Sequence, residues 1–499
     1  MKRSRGLCAD TYRLSPADAQ GAPLLLPLAG FVQLLRNMAQ ADGSGAGPNV
    51  RVGGNSAELN WWDPTGERDK STSCAASYSG EVCVKYAAKP ADMEAAVRAV
   101  AADGVNGTLI YGLTMLQNSS AVWASELATG ILKAARATAA TGNSSSWRID
   151  AFEIGNEPDL YFENGIRAPT YSPDDWMAEL RESYLPAIRE VISGGGDSAS
   201  HFMQSGTFCC KENFYAKMDA IVAALRDEGS LKTWSQHGYG LSTSASLQPA
   251  DLLADKAISD RIEKYIRPSA DAAKKAGVPF VIGETNSINM GGLRGVSDTA
   301  ASALWAADWV AHLIELGARR VNFHGSSSSA YSWMDGFETL ASGEQVPIVA
   351  PLYYGMLAMA RTLRGGAAPI EVQTLRKYAT TAVATHAYVT ASSDVRVLVI
   401  NKDTEAKSEP ARISVQVDAD GVTGDATVVW LRAPSVAAKR GLSWGSPAGT
   451  VTFDNSTNAA PRGEFVPQSV ARGSAGEYVF EVPPLSVALL EVSAGGALS

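Results

Sequence analysis

The chain of 499 residues is too long for one compact core, and a barrel of about 250–350 residues followed by a smaller domain fits this length. Apolar residues make up 45% of the chain and charged residues 19%, a composition that excludes a disordered protein. The net charge is −9 and no cluster of Lys or Arg follows Lys2–Arg5, so nucleic acid and heavily sulfated polyanions are not expected as partners.

Short β-rich runs alternate with longer stretches of helical periodicity from about residue 49 to residue 364. The runs predicted as strands are Asn49–Gly54, Gly107–Gly112, Arg148–Ile154, His201–Phe208, Leu231–Gln236, Pro279–Gly283 and Arg320–His324. The helices predicted to follow them are Ala91–Ala102, Ser120–Ala139, Pro173–Ser193, Phe214–Asp227, Asp260–Ala276, Thr299–Leu316 and Pro347–Leu363. This alternation predicts an α/β fold, a (β/α)8 TIM barrel over residues 23–365.

One further helix is predicted at Pro27–Ala39, before the first of these strand–helix units. A closed barrel needs a strand before that helix. Residues 1–22 offer no convincing strand, and Gly6–Leu14 is a poor substitute. We therefore expect a poorly defined N-terminal segment, with the first barrel strand missing from the chain.

The pattern changes after about residue 366, where helical periodicity stops. Short alternating runs then follow, at Ile370–Thr374, Tyr378–Thr390, Val395–Asn401, Ala411–Val417, Ala426–Leu431, Glu477–Val482 and Val487–Val492. Turn residues such as Asp418–Gly421 separate them. Residues 366–499 are therefore predicted to form an antiparallel β-sandwich.

Secretion is predicted from N-x-S/T sequons, although such triplets also arise by chance. The sequons lie at Asn106, Asn118, Asn143 and Asn455. No signal peptide is visible. The apolar segment Leu24–Leu35 contains Pro27 and Gly30 and is too short for a membrane span, so none is predicted.

Cysteine and histidine spacings predict neither a metal site nor a cofactor. The sequence has no His-x-x-x-His pair and no Cys-x-x-Cys motif, so a catalytic metal is not expected. Cys74 and Cys83 bracket a short loop, and either a disulfide or two ordinary thiols fits that spacing.

Two predicted strands end in a carboxylate. The run Phe152–Pro158 places Glu157 just after one strand, and the run Pro279–Asn286 places Glu284 just after another. The active site of a parallel barrel lies at the carboxyl ends of its strands, so both side chains are expected at one mouth. A surface glutamate in the turn before Pro158 is the alternative interpretation of the first.

A pair of carboxylates at one barrel mouth is what glycoside hydrolysis requires. One protonates the leaving oxygen, and the other attacks the anomeric carbon or activates water. A separation of about 5–5.5 Å favours the covalent, retaining route.

Several short motifs together resemble glycoside hydrolase family 79, which holds β-glucuronidases and heparanases within a clan of retaining barrel glycosidases. The motifs are Arg51–Asn55, Phe152–Pro158, His237–Tyr239, Gly283–Ser287 and Pro351–Gly355. The resemblance covers nearly the whole chain, including the C-terminal β-rich region.

The resemblance implies roles for individual residues. Glu157 would be the acid/base and Glu284 the nucleophile. Asn156 would bind the sugar 2-hydroxyl, Tyr239 would hold the nucleophile carboxylate, and His237 would support the same wall of the pocket. Two further substrate contacts are implied, at Asn55 on the pocket floor and at Tyr331 beside the sugar carboxylate.

Three more positions near the expected mouth bear on the sugar. His324, at the end of the last predicted strand, is a weaker candidate than His237. The chain departs from the family at Asn289, where many relatives carry Tyr, so one carboxylate-binding group is absent. Arg294 in the same loop is either a charge partner for the sugar or a solvated side chain.

The resemblance implies an exo-acting β-glucuronidase with a uronic-acid-containing glycan or glycoside as substrate. The alternatives are an endo-acting heparanase-like hydrolase, another β-glycosidase of the clan, or a non-catalytic sugar-binding relative. The acidic net charge disfavours a heparanase, which grips a sulfated polyanion with basic clefts. The sequence does not predict an oligomeric state.

Overall fold

The structure is a computed structural model and describes most of the chain. The described residues are 6–10, 29–42, 47–65, 74–77, 80–83, 86–117, 120–141, 148–325, 329–343, 345–373, 382–405, 408–417, 425–453 and 465–494.

The N-terminal part is a closed barrel of eight parallel strands. In chain order they are β1 (Gly6–Asp10), β2 (Asn49–Gly53), β3 (Thr108–Leu113), β4 (Ile149–Ile154), β5 (Met203–Phe208), β6 (Leu231–Leu241), β7 (Phe280–Ile288) and β8 (Val321–Gly325). Each pairs with the next, and β1 closes the barrel against β8. The predicted α/β barrel is thus confirmed.

The first strand is not missing. Gly6–Asp10 pairs in parallel with β2 on one side and with β8 on the other. Pairing on both edges stabilises a segment whose own β-propensity is weak, and that is why the sequence pattern did not reveal it. The rest of the predicted substitute segment, residues 11–14, lies outside the described residues.

The other strands form where the pattern predicts them, but β6 and β7 continue past their predicted ends. β6 runs on to Leu241 and β7 to Ile288. All of β7 is buried, including its polar second half. His237, Tyr239 and Glu284 therefore lie on extended strands that rise into the barrel mouth, not in flexible loops.

Helices surround the barrel. The main ones are Ala29–Asp42, Pro90–Ala101, Val122–Thr141, Pro173–Glu179, Leu185–Gly194, Glu212–Asp227, Arg267–Ala276, Ala300–Glu315 and Pro351–Thr362. Two π-helical turns, Leu180–Tyr184 and Ile262–Ile266, interrupt predicted helices.

The predicted start of the last helix was wrong. Gln345–Val349 forms a strand that pairs antiparallel with Met334–Thr339. The helix begins at Pro351, after Ala350 in extended conformation. Both Pro347 and Pro351 satisfy the preference for proline in a first helical turn, and the strand pairing decides between them.

The C-terminal part consists of antiparallel strands in two sheets. The larger contains, in spatial order, Ala368–Ile370, Val383–Val389, Val395–Asn401, Ser486–Val492, Ala426–Arg432, Ser443–Ser446 and Gly449–Val451, with Gln468–Val470 beside Ala426–Arg432. The smaller pairs Ala411–Gln416 with Glu477–Val482. Buried Val397, Val428, Phe480 and Leu490 belong to one apolar cluster shared by the two sheets, as the prediction of a sandwich requires.

Barrel and sandwich share a continuous apolar core. Leu398, Ile400 and Leu489 of the larger sheet belong to the same cluster of buried side chains as Leu357 and Trp309 of the barrel helices. The last barrel helix ends at Thr362 and the first strand of the sheet begins at Ala368, and the boundary that we propose, between residues 365 and 366, lies between them.

Two further features follow from the described residues. No helix among them is long and apolar enough to cross a membrane. Cys74 and Cys83 lie directly opposite each other on the paired strands Cys74–Ser77 and Gly80–Cys83. Their side chains lie outside the described set, so the disulfide stays a prediction.

Because Leu398 is fully buried where sheet and barrel helices meet, Leu398→Ala is expected to lower the free energy of unfolding by about 2–5 kcal/mol. Urea unfolding followed by circular dichroism measures this change. Val479→Ala, on an exposed position of the same domain, is the matched control and should change the free energy by less than about 0.5 kcal/mol. Equal effects of the two substitutions would contradict a shared core.

Candidate active site

Glu157 and Glu284 meet at the carboxyl end of the barrel. Glu157 follows β4 and Glu284 lies on β7, and both side chains are buried. A carboxylate oxygen of each, together with a ring nitrogen of His237, lie within 4.8 Å of one another. This separation suits a covalent displacement and leaves no room for a water held between two more distant carboxylates.

The turn after β4 points Glu157 into the mouth. Gly155 has φ 77° and Glu157 has φ 48°, so both adopt left-handed backbone conformations. Glycine accepts this geometry, whereas a glutamate there costs roughly 1–3 kcal/mol and persists only where its surroundings hold it. A Cβ on residue 155 would lie 2.5 Å from the Tyr161 hydroxyl, so this position has no space for a side chain.

Glu58 holds that turn in place. It lies on the short helix Asn55–Glu58 after β2 and is buried. Its Oε1 accepts hydrogen bonds from the backbone N–H of Asn156 at 2.6 Å and from the Tyr161 hydroxyl at 2.5 Å. Its Oε2 accepts from the backbone N–H of Met115 at 2.7 Å. Sequence reasoning missed Glu58, which lies three residues beyond the end of the family motif Arg51–Asn55.

Arg51 connects Glu284 to Asn156, the neighbour of Glu157 in the chain, and to Glu153. Its Nη1 donates to Glu284 Oε2 at 2.8 Å, its Nη2 to Asn156 Oδ1 at 2.8 Å, and its Nε to Glu153 Oε1 at 2.7 Å. Gly53 leaves the space that the guanidinium fills, since a Cβ there would approach Arg51 Cζ to 2.8 Å. The sequence motif contained Arg51 but gave it no role.

The predicted amide pair is also in contact. The Asn156 side-chain N–H donates to Asn55 Oδ1 at 2.8 Å. Asn156 is buried and Asn55 is exposed, so Asn55 stands on the solvent side of the pair. With Arg51 bound to its oxygen, the orientation of the Asn156 amide is fixed.

Three ring side chains surround Glu284 on the opposite wall. The Tyr239 hydroxyl donates to Glu284 Oε1 at 2.5 Å, and His324 Nδ1 lies 3.0 Å from the same oxygen. The Tyr331 hydroxyl lies 3.2 Å from His324 Nδ1. The structure therefore brings Tyr239, Tyr331 and the weaker candidate His324 into one cluster around Glu284.

His237 contacts the other carboxylate. Its Nδ1 lies 3.0 Å from Glu157 Oε1, and a ring nitrogen of His237 also lies within 4.8 Å of a Glu284 oxygen. Among the described residues its buried Nε2 has no hydrogen-bond partner. His237 thus orients Glu157 through one ring nitrogen and leaves the other available.

The surroundings shift the two pKa values in opposite directions. Burial raises the pKa of Glu157 above the ordinary glutamate value, assisted by the negative charges of Glu284 and Asp159 and opposed by the His237 contact. Burial alone would also raise the pKa of Glu284. The positive charges of His324, His237 and Arg51 outweigh burial and hold the pKa of Glu284 well below its usual range.

The surroundings therefore favour the protonated form of Glu157 and the ionised form of Glu284. This division is how an active site assigns an acid and a nucleophile to two identical side chains.

The loop after β7 is engaged with the protein itself. Asn289 Oδ1 accepts hydrogen bonds from Thr243 N and Thr243 Oγ1, both at 2.9 Å. Arg294 donates to Asp335 at 2.5 Å and is about half exposed, at 49%. Of the two interpretations of Arg294, the structure favours the surface one. Residues 326–328, before Tyr331, lie outside the described residues.

Comparison with known proteins finds glycoside hydrolases. A model of the glycosyl hydrolase family 79 C-terminal beta domain matches residues 386–489. The chain is 25% identical to a beta-glucuronidase of Aspergillus niger, over 92% of this chain and 86% of that protein. The C-terminal region is thus similar to glycoside hydrolase family 79. A beta-glucuronidase of Neurospora crassa is 26% identical over 43% of this chain and 40% of its own length.

Solved structures show the same architecture. A 4-O-alpha-L-rhamnosyl-beta-D-glucuronidase from Fusarium oxysporum 12S, in complex with Rha-GlcA, matches with a TM-score of 0.72 and 18% identity, over 98% of this chain and 95% of that one. A family 51 arabinofuranosidase from Xanthomonas axonopodis pv. citri matches with a TM-score of 0.58 and 16% identity, over 93% and 90%. The domain match and the two beta-glucuronidase relatives together make the protein a glycoside hydrolase, as the motifs that contain Glu157 and Glu284 predicted.

Replacing Glu58 by Gln turns one acceptor oxygen into a donor that faces a backbone N–H, so the turn carrying Glu157 should lose its position. We expect kcat for hydrolysis of a nitrophenyl β-glycoside to fall about 10- to 100-fold while the chain stays folded. Steady-state kinetics of Glu58→Gln measures this. Glu182→Gln, an exposed matched substitution, should leave kcat unchanged. A Glu58→Gln enzyme with wild-type kcat would refute the positioning role.

Proposed function

We propose that the protein is an exo-acting, retaining β-glucuronidase that removes terminal β-linked glucuronic acid from glycans or glycosides. The observation that carries the proposal is the pair of buried carboxylates, Glu157 and Glu284, with oxygens within 4.8 Å and pKa values shifted in opposite directions. The names of the Aspergillus niger and Neurospora crassa relatives support glucuronic acid as the sugar.

In the first step, the carboxylic acid of Glu157 donates its proton to the glycosidic oxygen. The ionised carboxylate of Glu284 attacks the anomeric carbon, the bond to the aglycone breaks, and a covalent glycosyl–enzyme ester forms. In the second step Glu157, now ionised, takes a proton from water. The water oxygen attacks the anomeric carbon and Glu284 leaves as a carboxylate, so the configuration is retained.

The groups around Glu284 keep it ionised and aimed. Arg51 binds Oε2 and the Tyr239 hydroxyl binds Oε1, so the carboxylate is held from both sides. His324 adds a third contact to Oε1. On the other wall His237 fixes the Glu157 carboxyl through Oε1. These contacts are in place before substrate binds, which lowers the reorganisation that the reaction requires.

Asn156 and Tyr331 are the proposed contacts to the sugar itself. The Asn156 amide is oriented by Arg51 and Asn55 beside both carboxylates, where a 2-hydroxyl would lie. The Tyr331 hydroxyl lies beside His324, at the edge of the same cluster, and we propose that it receives the sugar carboxylate. The Arg294 guanidinium is already paired with Asp335, so it is not the proposed partner.

The endo-acting heparanase-like alternative is not favoured, and neither is a non-catalytic sugar-binding protein. The net charge of −9 disfavours strong binding of a sulfated chain. The opposite pKa shifts of Glu157 and Glu284 serve turnover and are not needed for binding alone. We also propose secretion, for which the exposed sequon residue Asn106 is a candidate glycan site; Asn118, Asn143 and Asn455 lie outside the described residues.

A panel of nitrophenyl β-glycosides tests the substrate. The glucuronide should be hydrolysed with the highest kcat/KM, ahead of the matching glucoside, galactoside and xyloside. The glucoside is the matched control because it lacks only the carboxylate. A glucoside cleaved as well as the glucuronide would reject the uronic acid assignment and leave the two-carboxylate chemistry standing.

Glu157→Gln tests the acid. The variant should lose most of its turnover on substrates with poor leaving groups and much less on activated aryl glycosides, because only the former need protonation. A fluorinated glucuronide should label the wild-type enzyme covalently, and Glu284→Ala should abolish the label in intact-mass spectrometry. Labelling that persists in Glu284→Ala would assign the nucleophile elsewhere.

The pH profile follows from the signs of the two shifts. Glu157 must be protonated, and its pKa is raised, so kcat/KM should fall as pH rises through that raised value. Glu284 must be ionised, and its pKa is lowered, so the acid limb should lie below the ordinary glutamate range. A bell-shaped profile of kcat/KM is expected. Loss of the alkaline limb in Glu157→Gln on an activated substrate would assign that limb.

A further inference from the structure

A second cluster of ionisable side chains, separate from the candidate active site, joins a barrel helix to the larger sheet. Asp308, His312 and Glu315 occupy one face of the barrel helix Ala300–Glu315. His386 comes from the strand Val383–Val389 of the larger sheet. Asp308 and His386 are buried, whereas the His312 and Glu315 side chains are partly exposed, at 42% and 38%. Solvent therefore reaches one side of the cluster.

Two imidazoles converge on one carboxylate oxygen. Asp308 Oδ1 lies 3.0 Å from His386 Nε2 and 3.5 Å from His312 Nε2. One ligand atom from each of the three residues lies within 4.8 Å of the others. In a tetrahedral zinc site with bonds of about 2.0–2.1 Å, neighbouring N and O ligands are roughly 3.3 Å apart, so small side-chain movements suffice.

Glu315 occupies the far side of both rings. Its Oε1 lies 2.7 Å from His386 Nδ1, and its Oε2 lies 3.5 Å from His312 Nδ1. An Nδ1–H directed at Glu315 leaves an Nε2 lone pair directed at Asp308. Carboxylates behind metal-binding imidazoles fix the ring orientation in this way.

The local charge also favours a cation. Lys402 donates to Asp308 Oδ2 and to Asp255 Oδ1, both at 3.1 Å, and so leaves Asp308 Oδ1 for another partner. Asp255 and Asp308 share the ammonium of Lys402, whereas Glu315 pairs with His386. These carboxylates attract a cation, and a divalent ion bound by the two imidazoles would displace the proton that Asp308 and Glu315 otherwise hold on His386.

We propose that Asp308, His312 and His386 bind a divalent transition-metal ion, with zinc as the best chemical fit, and that this ion links the barrel to the sandwich. Imidazole nitrogens with one carboxylate oxygen suit zinc better than magnesium or calcium, which take oxygen ligands. Asp308 and His312 are one helical turn apart, and the third ligand comes from the other domain. Ligands divided in this way between a helix and a distant strand leave no paired histidine or cysteine motif in the sequence.

The full-length protein, stripped with a chelator and returned to metal-free buffer, provides the test. In isothermal titration calorimetry, one equivalent of zinc ion from zinc chloride should bind at this site. In a thermal unfolding experiment, the same zinc concentration should raise the melting temperature of the protein. Magnesium chloride should do neither. Hydrolytic activity should not require zinc, because this cluster is separate from Glu157 and Glu284.

Variants locate the ion. His312→Gln removes a partly exposed ligand, so the fold should survive, and zinc affinity should fall at least 10-fold with loss of the rise in melting temperature. Glu315→Gln, which acts through the imidazoles, should weaken binding about 10- to 100-fold. His201→Gln, on an exposed histidine, is the matched control and should bind like the wild type.

The active-site group Glu157, His237 and Glu284 could also hold an ion, so His237→Gln is the decisive comparison. Zinc binding and the rise in melting temperature should persist in His237→Gln and disappear in His312→Gln. The reverse pattern, or a wild-type protein without zinc binding, would overturn the proposal. In either case the cluster would be an ion pair in which His386 carries a proton between Asp308 and Glu315.

Discussion

The buried guanidinium of Arg51 is the constraint on which the candidate site depends. It contacts Glu284 from the seventh strand, Asn156 from the turn after the fourth, and Glu153 within the fourth. A buried cation is costly unless it is fully paired, and here its hydrogen-bond donors meet two carboxylates and an amide. Its position fixes the Glu284 carboxylate relative to the turn that carries Glu157, and its charge adds to those of His324 and His237 in lowering the pKa of Glu284 against the effect of burial.

The same contacts continue through the barrel interior. Glu153 accepts from Gln204 at 2.7 Å, Gln204 accepts from Arg320 at 2.6 Å, and Arg320 donates to Asp150 at 2.8 Å. The barrel interior therefore contains a continuous hydrogen-bond network of polar side chains beside its apolar layers. Each member is hydrogen-bonded to its neighbour, so removal of one would leave a charge buried without its partner. This network holds Arg51, and through it the Glu284 carboxylate, in a fixed position.

The acid side of the site is held differently. Glu157 lies in a left-handed backbone conformation that is unfavourable for a glutamate. Glu58 and Tyr161 hold that turn from below, and His237 holds the side chain from the side. Strain at this residue is thus balanced by hydrogen bonds from three separate segments. The two glutamates consequently have unlike surroundings even though their oxygens are close together.

The sequence predicted most of the fold because hydrophobic periodicity reports local structure. The strands that carry Glu157 and Glu284 were correctly located, and antiparallel sheets follow the barrel as predicted. The sequence pattern did not predict the first strand, Gly6–Asp10. This segment is a strand because it pairs on both edges and not because of its local propensity.

Contacts between segments that are distant in the chain could not be predicted from the sequence pattern either. Glu58 and Arg51 were missed as site residues because their roles depend on hydrogen bonds to residues about a hundred positions away. The contact between His237 and Glu157 was not predicted for the same reason: alternation along a strand does not say which of two carboxylates a ring will meet.

The most direct test of the account is a carboxyl carbon-13 NMR titration of glutamate-labelled protein, with Glu157→Gln and Glu284→Gln to assign the signals. The account predicts two apparent pKa values for the pair, one above and one well below the ordinary glutamate value of 4.5. Arg51→Met should raise the lower of the two pKa values. Two values near 4.5, unmoved by Arg51→Met, would contradict the central claim that unlike surroundings divide the two carboxylates into acid and nucleophile.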